Sequence, residues 1–307
     1  MKVLVTGASG FIGSKVVEML ANQPGYEILA TGRTSTQRFL SLPSVKYFQL
    51  DLLHIPDIIS CEIVIHCAGL ADDRSSREAL MSNNVEATSN LLRAVKDCRL
   101  FIYISSASVY DFTEGEPRKE EDIGPEQKLS HYGMSKLMAE RVLISSGIPS
   151  IYLLRPRAVY GPGDRVLLPR ILQLIRNNRL IIPGKLSSNT SLTHIDNFCE
   201  AILRAIQHNL PGVHTYNIAD NRTYNLREVL TEISFRKTKT KKIIQVPEIL
   251  IKLLVFANSA LRLRGKINKQ SIQYLSNDSI LNITKAQEQL NYQGRLNLFN
   301  SIDELDL

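Results

Sequence analysis

Two residues four positions apart carry the clearest chemistry in the chain. Tyr132 and Lys136 open and close the segment Tyr-Gly-Met-Ser-Lys, and on a helix such positions share one face. A phenol has an ordinary pKa of about 10, and an ammonium group one turn away lowers that pKa towards the neutral range. The pair is therefore a candidate proton-transfer unit, with Tyr132 as general acid/base.

A serine is the expected third member of this unit. The apolar run Leu100–Ile104 predicts a strand, and Ser105 and Ser106 follow it. The carboxyl end of a parallel strand faces the crevice where ligands bind in open α/β sheets. Either hydroxyl could hold a substrate oxygen or bond to its own turn, and we assign the catalytic role to Ser106.

The N-terminus carries a second chemical motif, a glycine-rich turn. Gly7, Gly10 and Gly13 stand between a short apolar run and the helical pattern Phe11–Leu20. Such a turn lets the backbone approach a pyrophosphate, which the positive end of the helix then attracts. We expect a dinucleotide phosphate site here that also includes Ser9, Phe11 and Ile12.

The end of the predicted second strand bears on the choice of cofactor. An acid at this position would bind the ribose 2′-hydroxyl of NAD, whereas an arginine accommodates a 2′-phosphate. Here Arg33 follows the run Glu27–Ala30 and no acid is in place, which favours NADP over NAD. Asp51, after the predicted strand Val45–Phe48, could accept a hydrogen bond from the adenine amino group or serve as a turn residue.

These residues need a scaffold of alternating strands and helices. Helical spacing is found in Phe11–Leu20, Glu78–Val95 and Tyr132–Ser145, between short apolar runs that predict strands. Repeated strand–helix units indicate a doubly wound parallel sheet, a Rossmann fold. We expect a dinucleotide-binding domain over 1–165 and a smaller α/β substrate lobe over 166–307, interleaved with the first. Helices are predicted there at Leu167–Ile175, Asn197–Gln207 and Leu226–Ser234.

Composition narrows the class of protein. Of 307 residues, 44% are hydrophobic and 22% charged, and no apolar run reaches the roughly 18 residues of a membrane span. The cysteines lack metal-site spacing, which favours reduced thiols in the cytoplasm. Net charge is +7 and concentrates between Arg222 and Lys269, yet no aromatic residues alternate with the basic ones, so nucleic acid is not expected as a partner.

Several segments together resemble the extended short-chain dehydrogenase/reductase superfamily, of the NAD-dependent epimerase/dehydratase type. They are GASGFIG, HCAG at His66–Gly69, Asn84-Val85, SSASVY, YGMSK and LRPRAVYGPGD at Leu154–Asp164. The resemblance implies that Ser106 orients the substrate, Tyr132 is the acid/base, and Lys136 also holds the nicotinamide ribose. Asn84 would support the active-site helix. The expected cofactor contacts further include Leu52, Cys67, Ala68 and Gly69, and relatives often form homodimers.

The resemblance also narrows the substrate. Most such relatives act on nucleotide-activated sugars, so our leading hypothesis is a 4-keto reductase or 4-epimerase. Two diphosphate-binding arginines of the epimerases are absent, at Ser188–Thr190 and near Gln273–Ser276. Dehydration is disfavoured because Ala107 and Ser108, not acids, follow Ser106.

Two alternatives stay open. Val246–Leu263 is apolar and flanked by basic residues, as in 3β-hydroxysteroid dehydrogenase-like enzymes. It favours a lipidic alcohol or ketone as substrate, and forms either core or a peripheral membrane contact. The second alternative is a non-catalytic NAD(P)-sensing protein, which would have no need of Ser106, Tyr132 and Lys136 together.

Overall fold

A seven-stranded parallel sheet forms the centre of the protein. The computed structural model describes residues 1–72, 75–184, 186–247 and 277–307. The strand order is β14-β8-β7-β5-β1-β2-β3, with every neighbouring pair parallel. The order reverses between β1 and β5, where ligands bind in such sheets. These strands are β1 (Lys2–Thr6), β2 (Glu27–Gly32), β3 (Val45–Gln49), β5 (Ile63–His66), β7 (Leu100–Ile104), β8 (Ser150–Pro156) and β14 (Gly212–Ile218).

Shorter strands and the helices surround this sheet. The short strands are β4 (Ile59–Ser60), β6 (Val95–Lys96), β9 (Val159–Tyr160), β10 (Ile175–Arg176), β11 (Arg179–Pro183), β12 (Asn189–Ser191), β13 (Thr193–His194), β15 (Thr223–Asn225) and β16 (Ile243–Val246). The helices are α1 (Phe11–Ala21), α2 (Arg77–Met81), α3 (Ala87–Ala94), α4 (His131–Ile144), α5 (Leu167–Leu172), α6 (Ile195–His208), α7 (Leu226–Thr238), α8 (Thr284–Leu290) and α9 (Leu298–Ser301).

Alternation along the strands explains why both faces of the sheet are covered. Val3 and Val5 point to the side on which α1 and α6 pack, whereas Leu4 points to the side of α3 and α4. Because all three side chains are fully buried, the strand has no polar face, as a two-sided parallel sheet requires. The predicted Rossmann architecture is confirmed.

Two predicted helices differ from the structure. The prediction Glu78–Val95 corresponds to α2 and α3, joined by a wider π-helical turn over Ser82–Glu86. The prediction Leu167–Ile175 was too long, because Ile175 pairs with Leu180 in a β-hairpin. Left-handed Asn177 and Asn178 make that hairpin's turn, and asparagine tolerates this conformation.

The second half of the chain contributes directly to the central sheet. Strand β14 forms its edge beside β8, and Phe198 and Ile202 of α6 lie in the same core as Val3. A separate core underlies the lobe and contains Leu168, Leu180 and Leu230. The boundary at residue 165 stays a prediction.

Part of the C-terminal half lies outside the described residues. The apolar segment Val246–Leu263 is described only as far as residue 247, so neither interpretation of it can be compared with structure. Within the described ranges, no helix has both the length and the apolar character needed to cross a membrane.

Candidate functional site

The glycine-rich turn packs tightly against the loop after β5. Gly7 is left-handed, with φ +66°, and a Cβ there would lie 2.6 Å from the Ala68 nitrogen. A Cβ on Gly13 would collide with the Gly7 carbonyl. Gly10 donates its N–H to Gly7 O at 2.9 Å and precedes α1. The chain thus needs glycine at Gly7 and Gly13 to bring β1, α1 and the Cys67–Gly69 loop together.

This turn fits a phosphate group. Helix α1 starts at Phe11, and its N-cap residue, Gly10, has no side chain that could cap it. In the described part of the chain, the first-turn N–H groups of Phe11, Ile12 and Gly13 therefore have no side-chain cap. Backbone donors at the positive end of a helix bind anions. Ser9 lies beside the end of β2, because a Cβ on Gly32 would be 2.6 Å from its hydroxyl.

Arg33 reaches across the carboxyl edge of the sheet. Its exposed guanidinium donates from Nη1 to Asn83 Oδ1 at 3.1 Å, and the Asn83 amide nitrogen is held by Ala79 O at 2.9 Å. Nearby Arg38 instead pairs with Glu18 at 2.7 Å. Arg33 therefore has a neutral partner, whereas the positive charge of Arg38 is balanced by a carboxylate.

The structure supports the turn interpretation for Asp51. Its side chain accepts a hydrogen bond from Leu53 N at 3.0 Å, and its carbonyl accepts one from His54 N. The neighbouring Leu52 is 7% exposed, and its carbonyl accepts from Asn90 Nδ2 at 3.1 Å. A contact of Asp51 or Leu52 with the cofactor stays a prediction.

His66 forms a buried chain of hydrogen bonds below Cys67–Gly69, the loop predicted to contact the cofactor, which we call the cofactor loop. Thr88 donates its hydroxyl proton to Asn84 O at 2.6 Å, so it accepts from His66 Nε2 at 2.9 Å. Nδ1 must then accept from the Thr6 hydroxyl at 2.6 Å. Burial, with Lys136 adding to it, lowers the pKa of His66 to about 3, so this imidazole stays neutral and serves as a structural connector.

Asn84 connects the cofactor loop to α4. Its Oδ1 accepts from Leu70 N at 2.7 Å, and its Nδ2 donates to Leu70 O at 3.1 Å and to Ser135 Oγ at 2.9 Å. Ser135 in turn donates to Tyr132 O at 2.8 Å. The side chain bridges 51 positions of sequence and holds the backbone on which Tyr132 and Lys136 stand.

Helix α4 begins directly against the turn that contains Ser106. Ser130 caps α4 by accepting from Gly133 N at 3.0 Å, and a Cβ on Gly133 would collide with the Ser108 carbonyl. Only glycine allows this approach. Gly133 therefore brings the Tyr132 helix to the serine turn, a role that sequence reasoning missed although the residue stands inside the Tyr-Gly-Met-Ser-Lys segment.

The two serines after β7 have different surroundings. Ser105 is buried and donates its hydroxyl to the carboxylate of Glu140. Ser106 is half-buried; its Oγ accepts from Ser108 N and donates to Ser108 Oγ, both at 3.1 Å. Glu140 thus accepts the Ser105 hydroxyl, whereas Ser106 bonds within its own turn, and its catalytic role stays a prediction.

Lys136 is buried between the strand ends and the cofactor loop. Its Nζ donates to Ile104 O at 2.7 Å and to Tyr103 OH at 3.3 Å, and it lies 4.6 Å from the centre of the Tyr103 ring. A Cβ on Gly69 would be 3.4 Å from this Nζ. Burial lowers the pKa of Lys136 to about 8, against smaller opposing effects from Cys67 and Glu140, so the ammonium form dominates at neutral pH.

The geometry thus gathers most of the predicted residues at one edge of the sheet. Lys136 contacts the end of β7, Asn84 and Gly69 lie beside it, and the glycine turn abuts Ala68. Among the described residues no group of three His, Cys, Asp or Glu side chains could hold a metal ion. The site is suited to a dinucleotide and to proton transfer by a phenol.

The chain is similar to several known proteins. The chain is 24% identical, over 99% of its length and 96% of the relative's, to a 4-hydroxy-2-methyl-3-oxo-4-farnesyl-3,4-dihydroquinoline-1-oxide ketoreductase of Stigmatella aurantiaca. It is 26% identical to UDP-glucose 4-epimerase of Vibrio cholerae, over 80% of this chain and 78% of that protein.

A solved structure shares the fold. UDP-glucuronic acid 4-epimerase from Bacillus cereus, in complex with UDP-glucuronic acid and NAD, superimposes with a TM-score of 0.78 at 22% identity, covering 99% of this chain and 97% of that one. The family model described as the NAD dependent epimerase/dehydratase family matches residues 3–219, more than half of the chain. The protein therefore belongs to the NAD-dependent epimerase/dehydratase family and is an oxidoreductase of the extended short-chain dehydrogenase/reductase type.

Proposed function

We propose that the protein is an NADP(H)-linked reductase of a ketone, with Tyr132 as proton donor. The observation that carries this proposal is the contact of three elements at one place: α4 with Tyr132 and Lys136, the turn with Ser106, and the loop that abuts the glycine turn. A bound nicotinamide cofactor would supply the hydride. The glycine turn would hold its pyrophosphate, and Lys136 its nicotinamide ribose.

The chain's own residues would handle the proton. Ser106 would donate a hydrogen bond to the ketone oxygen, and Tyr132 would transfer its phenolic proton to that oxygen as negative charge develops there. The Lys136 ammonium, on the same face of α4 one turn later, would stabilise the phenolate that remains. Oxidation of an alcohol would use the same groups in the opposite direction.

Replacing Tyr132 by phenylalanine tests this role. We expect Tyr132→Phe to lower kcat by about 100-fold or more, since the general acid is lost, and to leave the Kd for the cofactor nearly unchanged. Steady-state kinetics and fluorescence titration would measure the two effects. A non-catalytic NAD(P)-sensing protein, the remaining alternative, would have no turnover in either form.

The choice of NADP over NAD rests on Arg33. Its neutral partner Asn83 leaves its charge available for a 2′-phosphate, whereas Arg38 is balanced by Glu18. Arg33→Ala should raise KM for NADPH by about 10-fold or more, because a charge-assisted, bidentate arginine–phosphate contact is lost. KM for NADH should change little, because NADH has no 2′-phosphate. Arg38→Ala is the matched control. Equal effects of Arg33→Ala on both cofactors would contradict the assignment.

For the substrate, a ketone without a nucleotide diphosphate is favoured. Where epimerases place a diphosphate-binding arginine, this chain has Asn189, whose backbone N–H and side-chain amide donate to the carboxylate of Asp278, at 2.7 and 3.3 Å. A carboxylate repels phosphate. A relative matching the full chain is named for reducing a farnesylated ketone. We therefore place a lipidic ketone first.

A nucleotide-sugar 4-keto reductase or 4-epimerase is the second candidate. It is favoured by the similarity to UDP-glucose 4-epimerase. The two candidates are separated by assaying NADPH oxidation with long-chain and polycyclic ketones against UDP- and dTDP-linked 4-keto sugars. Turnover of the sugars alone, or an NAD that stays bound through purification and is released only on denaturation, would make the second candidate correct.

Three expectations about partners and location stay predictions. They are a cytoplasmic location, a homodimer formed through α2, α3 and α4, and a peripheral membrane contact. The last concerns Val246–Leu263, most of which lies outside the described residues.

A further inference from the structure

A buried charged cluster lies beside the candidate catalytic residues. Glu140 is 1% and Arg155 4% exposed. Arg155 donates to the Glu140 carboxylate twice, from Nε at 2.9 Å and from Nη2 at 2.6 Å, and Ser105 donates its hydroxyl to the same carboxylate. We call Ser105, Glu140 and Arg155 the Glu140 cluster.

The Glu140 cluster joins α4 and the end of β7, which carry the candidate catalytic residues, to β8. Glu140 stands on α4 one turn after Lys136 and two turns after Tyr132. Ser105 directly precedes Ser106 at the end of β7, and Arg155 lies on β8. In extended backbone, successive side chains point to opposite sides, and Ser106 has φ −159° and ψ 147°. Fixing Ser105 towards Glu140 therefore directs Ser106 away from it.

We propose that Glu140 and Arg155 are positioning residues, which hold α4 against the ends of β7 and β8 and so place Ser106, Tyr132 and Lys136 relative to one another. This inference rests on the proposed function for its catalytic meaning. The contacts themselves do not depend on which substrate is used.

Stability alone is a weak reason for this cluster. Removing two charges from water is costly, and apolar residues of similar size often hold a core equally well. A bidentate arginine–carboxylate pair instead defines distance and angle. Arg155 extends the connection, since its Nη1 donates to Tyr110 OH at 2.9 Å and to Glu120 O at 2.8 Å.

The cluster also acts on Lys136 through charge. Glu140 raises the pKa of Lys136, partly opposing the burial that lowers it to about 8. The titratable groups around Lys136 in the described residues are His66 and Cys67 at β5, Tyr103 on β7, and Tyr132 and Glu140 on α4. Neutralising Glu140 would leave the Arg155 charge uncompensated, and both changes would disfavour the Lys136 ammonium.

The titration of Lys136 tests the charge coupling without any substrate. The full chain is labelled with ¹⁵N at lysine Nζ and followed by NMR against pH, with Lys136→Met assigning the signal. We expect Glu140→Gln to lower the midpoint by about half a pH unit to one pH unit, as a neighbouring charge does. Asp220→Asn is the matched control, because Asp220 is equally buried but bonds to Tyr160, Tyr224, His194 and Asn197.

If Glu140→Gln does not fold, Ser105→Ala tests whether the Glu140 cluster places Ser106. It should lower kcat by about 10-fold through misplacement of Ser106, with the cofactor Kd unchanged. An unchanged Lys136 midpoint in folded Glu140→Gln, or unchanged kcat in Ser105→Ala, would overturn the proposal. Absence of ketone turnover in the unmodified protein would instead refute the proposed function, and the NMR titration would still report on the cluster.

Discussion

At the scale of single residues, Lys136 shows how burial and function oppose each other. The residue is 6% exposed, and the acceptors that hold its ammonium are a backbone carbonyl and a phenol, not a carboxylate. Desolvation therefore dominates and lowers the pKa to about 8. The residue remains charged at neutral pH, where its charge can act on Tyr132, at a cost in stability.

This cost gives a prediction about stability and pH. Because the pKa is about 8 in the folded state and about 10.5 when unfolded, the unfolded chain binds more protons between these values. The free energy of unfolding should therefore rise with pH across that window, by about 3 kcal/mol from this group. Lys136→Met should lack this rise. Urea unfolding of both proteins from pH 7 to 10.5 would measure it, and parallel curves would contradict it.

At the scale of elements, the turn between β1 and α1 is defined by contact with a distant loop. Gly7 needs a left-handed backbone and also space, since the Ala68 nitrogen lies where a Cβ would stand. Gly25, between α1 and β2, is also left-handed, with φ +87°, but has nothing within 4 Å. Substitution at Gly25 therefore introduces backbone strain alone, whereas substitution at Gly7 introduces backbone strain and a steric collision.

Alanine at these two glycines should therefore have unequal effects. Gly25→Ala should cost about 1 kcal/mol, the strain of a left-handed residue, and leave cofactor binding intact. Gly7→Ala adds the collision with Ala68 and should cost about 3 kcal/mol or more and weaken cofactor binding. Thermal unfolding and isothermal titration would measure both. Similar losses for the two variants would show that the loop contact does not matter.

At the scale of the whole molecule, the halves of the chain complete one another. Strand β14 covers the edge of β8, and α6 packs on α1. Asp220, just beyond β14, accepts hydrogen bonds from Tyr160 of the first half and Tyr224 of the second, at 2.7 Å each. The cofactor half therefore lacks part of its core when taken alone.

A truncated chain tests this interdependence. A fragment of residues 1–165 would expose the β8 edge and the apolar surface that α6 buries, so we expect no cooperative unfolding transition. Circular dichroism during urea titration, with the full chain as the control, would measure it. A fragment that unfolds cooperatively and binds the cofactor would instead show an independent domain.

The sequence by itself determined the six strands that the first half gives to the central sheet, the glycine turn, and the Tyr132–Lys136 spacing. These are local patterns, in which period and residue type decide the outcome over a few positions. The bond that holds the Ser105 hydroxyl could not be predicted, because its partner, Glu140, is 35 positions away; the choice of Ser106 stays a prediction. The π-helical turn that places Asn84 had no local signal either.

The tertiary structure decided which polar groups meet. It brought Arg33 to Asn83, Gly133 against Ser108, and both Ser105 and Arg155 to Glu140. Each contact depends on elements that are far apart in sequence, and at Glu140 burial makes an unsatisfied polar group costly and so selects its partners. Short sequence motifs indicate the chemistry of this protein, but long-range contacts set the geometry of its candidate site.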